Sequence, residues 1–250
     1  METIYRTWSE TVALFERRGF PQASYGALYE DEYILHPGPA ELAGSLWLDD
    51  HQYRHRNPWI KAGGRPEYEG IDGAVTGYVI DGDLWVDGNI LNLDHGSPSL
   101  IVLGDLKVAN LVLTGSSYLL VQGDLEVETF LGNSTEQHVE VLGDLRATVA
   151  VMWDEFLPEV GGRLRGRALV PDWLDLDDCD FIVEDPNPHV GLSDLLVPEV
   201  LLTGGATEED TYLAEAGLRY EHMIDRMVRG LPVVRGGRTV APLEVLPPQE

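Results

Sequence analysis

The polar and apolar positions between Tyr78 and Leu169 repeat one pattern. "YVIDGDLWV", "LIVLGDLKV", "LLVQGDLEV" and "VEVLGDLRA" each hold an apolar run, a Gly-Asp pair and an alternating run. The glycines are Gly82, Gly104, Gly123 and Gly143, and a degenerate fifth copy, "EVGGRLRG", places its glycine at Gly162. The steps are 22, 19, 20 and 19 residues. A period near 20 marks a fold built from stacked repeats. Leu84, Leu106, Leu125 and Leu145 follow the corners, and Val86, Val108, Val127 and Ala147 come two residues later. Period 2 puts these side chains on one face. Between them stand Trp85, Lys107, Glu126 and Arg146, which vary in chemistry as outward positions do.

A second short strand follows in each repeat ("NILNL", "NLVLTG", "TFLGN", "VAVMW"), and then a turn rich in Gly, Ser, Asn and acids. Three short strands and three bends in about 20 residues make one coil of a β-solenoid. The expected fold is mainly β: a single-stranded β-solenoid (β-helix) whose coils stack about 4.8 Å apart. Each glycine supplies a bend that a side chain would obstruct. Asp83, Asp105, Asp124 and Asp144 sit beside them, placed to accept hydrogen bonds from turn amides. Gly44 in "AELAGSLWLDD" offers an earlier corner, 38 residues before Gly82, with Gly63 or Gly64 midway. A leucine-rich repeat needs Asn at a fixed offset. Asn110 has no counterpart in "QGDLEVETF" or "LGDLRATVA", and no helical segment fits within the period.

The flanks predict helices. Thr7 and Glu10 fit a capping box, Trp8, Val12 and Phe15 share a face, and Gly19 with Pro21 stops the helix. A longer helix is expected over 208–229, with Thr207 as N-cap and Leu213, Tyr220, Met223, Ile224 and Met227 as its apolar face. The chain divides into an N-terminal helical cap (1–40), a solenoid core (41–185, clearest over 78–169) and a C-terminal helical cap with a tail (186–250). Non-repeat sequence at both ends favours a discrete particle over a filament, since uncovered strand edges invite polymerisation.

The "GDL-x-V" corners resemble those of bactofilins, the polymer-forming cytoskeletal β-helix proteins of bacteria. The resemblance covers roughly Tyr78 to Leu169. It implies the coil, and self-association as an alternative role. Bactofilin coils are shorter and more even, and disordered tails flank them. Here the rungs are uneven and the ends look structured, so the coil is carried over and the filament is not.

Charge narrows the functional classes. The chain has 43 acids against 17 Lys and Arg, a net −26. Residues 75–185 hold 21 of the acids and five bases, and Lys107 is the only base between Ala74 and Leu145. Such a field repels nucleic acid and anionic membranes and speeds encounter with basic partners. No apolar run approaches a membrane span, and acids interrupt the N-terminal apolar stretch, unlike a signal peptide. One cysteine, Cys179, permits no internal disulfide. A cytoplasmic location is expected.

The sequence carries no recognisable catalytic or metal-binding motif. His51 and His55 lie four apart beside Asp49 and Asp50, but Pro58 argues for a loop there. "DLDDCDFIVED" lacks the glycine and terminal glutamate of a calcium loop. There is no phosphate loop and no nucleophile elbow. Carboxylate-bearing β-helix polysaccharide enzymes form a further alternative, requiring an acid–base pair of carboxylates. The expectation is a non-enzymatic binder with no cofactor. Its partner is a protein with a basic surface, and the most concrete version is a bacterial immunity protein that neutralises a toxin. Large aromatics rimmed by acids suit such docking. The candidate partner-binding residues are Trp85, Glu126, Glu128, Glu140, Trp153, Asp154, Glu155 and Phe156.

Overall fold

The computed structural model describes residues 3–48, 77–93, 99–114, 118–133, 138–153, 156–170, 174–202 and 217–242. The chain opens with β1 (Ile4–Arg6), α1 (Trp8–Arg18) and α2 (Gln22–Tyr25). The first coil holds β2 (Tyr33–His36), β3 (Ala40–Ala43) and β4 (Leu46–Trp47). Each later coil pairs one short strand with one long strand. These are β5 (Gly77–Ile80) and β6 (Leu84–Asn92), β7 (Ser99–Val102) and β8 (Leu106–Leu113), and β9 (Tyr118–Val121) and β10 (Leu125–Asn133). They continue as β11 (His138–Val141) and β12 (Leu145–Trp153), then β13 (Glu159–Val160) and β14 (Arg163–Leu169). After β15 (Ile182–Glu184) come α3 (Leu192–Leu195) and α4 (Tyr220–Val228).

The coils stack as a β-solenoid. Short strands form one sheet in the order β1-β2-β5-β7-β9-β11-β13, and long strands form another in the order β15-β14-β12-β10-β8-β6-β3. All of these pairings are parallel except β1 on β2. Leu84, Leu106, Leu125, Leu145 and Leu164 stand in direct register, each at most 1% exposed. Val86, Val108, Val127 and Ala147 form a second inward column. Burying this leucine-and-valine stack is the main cohesive force of the coil, at about 1.5–3 kcal/mol per fully buried side chain.

The Gly-Asp corner is an inter-coil latch. Asp83 Oδ1 accepts the amide of Asp105 at 2.9 Å, Asp105 that of Asp124 at 2.8 Å, and Asp124 that of Asp144 at 2.8 Å. Asp144 accepts the amide of Arg163 at 3.0 Å. The glycines make room for it. A Cβ on Gly104, Gly123, Gly143 or Gly162 would overlap the Asp oxygen of the preceding storey. Close approach, rather than an unusual backbone angle, therefore demands glycine at these four sites.

Three expectations are corrected. The two strands predicted after each corner are one continuous strand of eight or nine residues. It bends in the middle: Val108 and Leu111 both face the core, while Val112 packs outside it. Gly44 bends the chain at φ +82° between β3 and β4 but is not the corner equivalent to Gly82. Ala40 pairs with Leu84, so Gly38 aligns with Gly82, and no coil lies between β3 and β6. Gly63 and Gly64 fall outside the described residues. The long C-terminal helix does not run unbroken to 229. Gly217 turns at φ +72°, Leu218 bridges to Leu201, and α4 begins at Tyr220. Thr207 and Leu213 lie outside the described residues.

Non-repeat segments cover the sheets from outside. The α1 capping box forms as expected, with Thr7 Oγ1 accepting the Glu10 amide and Glu10 accepting that of Thr7. Phe15, Phe20, Tyr25 and Leu28 pack on Val79, Ile101 and Leu120, the outward positions of the short-strand sheet. Met223, Met227, Leu196, Val200 and Val234 cover Leu91, Val112, Leu131 and Val151 beyond the bend of the long strands. At that bend Asn89 donates to the Met227 carbonyl, and Asn110 donates to Asn89 at 2.8 Å.

Candidate functional site

The first half of each long strand stays open, and one outward column runs along it. Register places Glu41, Trp85, Lys107, Glu126, Arg146, Arg165 and Glu184 on successive storeys. The segment around Asp185–Asn187, Leu195 and Arg238 rises beside this column. With this segment, Trp85, Lys107, Glu126, Arg146 and Arg165 of the column line a groove of about 700 Å³.

Charge is unevenly distributed along it. Arg146 pairs with Asp124 at 2.6 Å and Asp144 at 3.0 Å, and Arg165 with Asp144 at 3.2 Å. Arg163 pairs with Glu184, and Arg167 with Asp185. This end of the groove is balanced, cation for anion. The Asp144 amide, then the Arg146 guanidinium, hold the Asp124 carboxyl below its usual range. Burial opposes ionisation of Asp185, but the hydrogen bonds from Arg167 and the Asn187 amide outweigh it and lower its pKa.

The other end is acidic. Trp85 is 48% exposed. Glu41 flanks it on the preceding storey, Asp83 and Asp87 lie two residues to either side, and all three acids are exposed. Lys107 Nζ lies 5.9 Å from the Trp85 ring centroid and 2.5 Å from Glu126. Arg238 reaches Glu128 at 2.9 Å and Asp87 at 3.8 Å. An electron-rich ring among carboxylates is an environment that attracts and orients a cationic side chain.

Of the expected binding residues, Trp85, Glu126 and Glu128 therefore share one groove. The others are elsewhere. Glu140 faces the opposite side, where it accepts a hydrogen bond from Ser24 Oγ at 2.8 Å. Trp153 is partly buried against the C-terminal cover. Phe156 is 2% exposed and packs on Phe130 inside the solenoid, because Gly132 leaves space for its ring. Asp154 and Glu155 fall outside the described residues. Of the three aromatics expected at the surface, Phe156 is buried, Trp153 is partly covered and Trp85 is exposed among acids. Sequence reasoning missed Glu41, Asp87 and Arg238. Outward alternation on β3 and β6 could have found the first two, whereas nothing local marks Arg238.

The acidic stretch "DLDDCDFIVED" is largely exposed or half-buried, and two of its carboxylates accept local turn amides. Asp175 accepts the Asp177 amide at 3.0 Å and Asp185 accepts that of Asn187 at 2.8 Å. Among the described residues no cluster of three metal-ligating side chains occurs. His51 and His55 are outside them. No family model, curated protein or solved structure matches the chain.

Proposed function

We propose that this β-solenoid is a protein-binding module that captures a basic partner on the Trp85 end of its groove, most concretely as a bacterial inhibitor of a toxin or effector. The observation that carries the reading is the half-exposed Trp85, with exposed Glu41 beside it in register and exposed Asp83 and Asp87 two residues to either side, in a chain of net charge −26. Tryptophan anchors dominate binding energy in protein interfaces. The surrounding acids add rate, because a concentrated field steers an oppositely charged protein toward encounter. Stacked strands also keep the anchor rigid, so little conformational freedom is lost on docking.

The test is affinity capture from the source cells on wild-type chain and on a Trp85→Ala/Glu41→Gln/Asp87→Asn variant. These side chains avoid the Asp latch, so the fold should survive. A basic protein retained by wild type, lost on the variant and inhibited by stoichiometric wild-type chain supports the reading. Equal retention by both chains, or a captured protein whose activity is untouched, contradicts it.

A further inference from the structure

The cation site at Trp85 is already filled from within. The chain has only two lysines, Lys61 and Lys107. Lys107 lies over the Trp85 ring and on Glu126. Its neighbours in the outward column on later storeys, Arg146 and Arg165, are arginines, each held by two carboxylates. Lysine holds its place far less firmly. It is a point charge on a flexible stem and cannot form the bidentate fork of a guanidinium. The pair is also solvent-exposed, with 41% of the Lys107 side chain and 55% of the Glu126 side chain accessible. Exposed pairs of this kind contribute little and separate easily.

Resting on the reading above, we infer that Lys107 is a built-in stand-in for an arginine of the basic partner, which displaces it from Trp85 and Glu126 on docking. An incoming arginine stacks its planar group on the indole and takes Glu126 through two parallel N–H donors. Lys107 then swings into solvent on its own stem. In the free protein the stand-in shields the acidic end of the groove from stray cations, which raises the threshold that a true partner must pass. Arg238 closes the neighbouring acids in the same way: its backbone amide and its Nε both donate to Glu128, and its Nη1 lies 3.8 Å from Asp87.

The experiment uses a terminally blocked Gly-Arg-Gly-Arg-Gly peptide as the probe, with calorimetric titration at physiological ionic strength. There the Debye length is about 8 Å, so remote charges are screened. Four chains are compared: wild type, Trp85→Ala, Lys107→Gln and Arg6→Gln. Arg6, on β1 of the other sheet, pairs only with Glu10 among the described residues, and its substitution removes the same unit of charge far from the groove. The inference predicts that Lys107→Gln tightens binding about three- to tenfold. Arg6→Gln should leave affinity unchanged. If Lys107→Gln behaves like Arg6→Gln while Trp85→Ala weakens binding, the stand-in role is overturned and the docking site stands. If Trp85→Ala binds the peptide as well as wild type does, the docking site itself is overturned.

Discussion

Asp124 shows how much one side chain does in this fold. One oxygen accepts the amide of Asp144 on the next storey, and the other takes the Arg146 guanidinium. Asp124→Ala removes both and strands a backbone donor at the corner, at a cost of about 1–3 kcal/mol. Its pKa is depressed in the folded chain, chiefly by that amide. The stabilisation is therefore complete above the ordinary carboxylate value of about 3.9 and is lost as pH falls through the lower folded value. Urea midpoints of wild type and Asp124→Asn, measured from neutral pH downward, should converge at the acid end. A gap that persists at low pH would mean that the charge of Asp124 contributes nothing. Gly123→Ala tests the same latch from the opposite side. Its Cβ would collide with Asp105 Oδ1, so the variant should lose more than about 2 kcal/mol, read as a fall in thermal midpoint.

Among the elements, the solenoid and its covers differ in how they are encoded. The coil was legible because inward leucines recur at a nearly fixed step and carry the period on their own. What covers the coil left a weaker trace in the outward positions. Val79, Ile101 and Leu120 are apolar, and the same column then changes to Glu140 and Glu159. At that switch the N-terminal cover exchanges apolar packing for a polar contact, Ser24 on Glu140. Leu91, Val112, Leu131 and Val151 likewise predict a cover beyond the bend of the long strands. The bend itself was misread as a strand break, because inward parity changes there while hydrogen bonding continues. Register with distant segments was invisible: nothing in "ELAGSLW" reveals that Ala40 pairs with Leu84 across 44 residues. The C-terminal cover depends on Met227, fully buried against the outer leucines. Met227→Ala should cost about 2–5 kcal/mol. If the cover is a separately melting unit, hydrogen exchange will rise in α4 and around Asn89 before it rises in β8 and β10. Simultaneous loss of protection throughout would instead make cover and coil one cooperative unit.

For the molecule as a whole, the central point is the separation of two surfaces. The inner faces are dry and apolar, and the acids collect outside, where most of those near the groove's far end are neutralised by Arg146, Arg163, Arg165 and Arg167. Excess negative charge is left around Trp85. The antiparallel β1 ends one sheet, so the parallel register of the coils does not continue past it. We propose a discrete particle on this ground, for which sedimentation should show one small species; polymers like those of a bactofilin-like scaffold would contradict it. The most direct test of the binding account is the association rate of the captured partner at increasing salt, for wild type and for Glu41→Gln/Asp87→Asn. The account predicts a wild-type rate that falls steeply with salt and a variant that is slower and flatter. Rates that coincide at every salt concentration would contradict it.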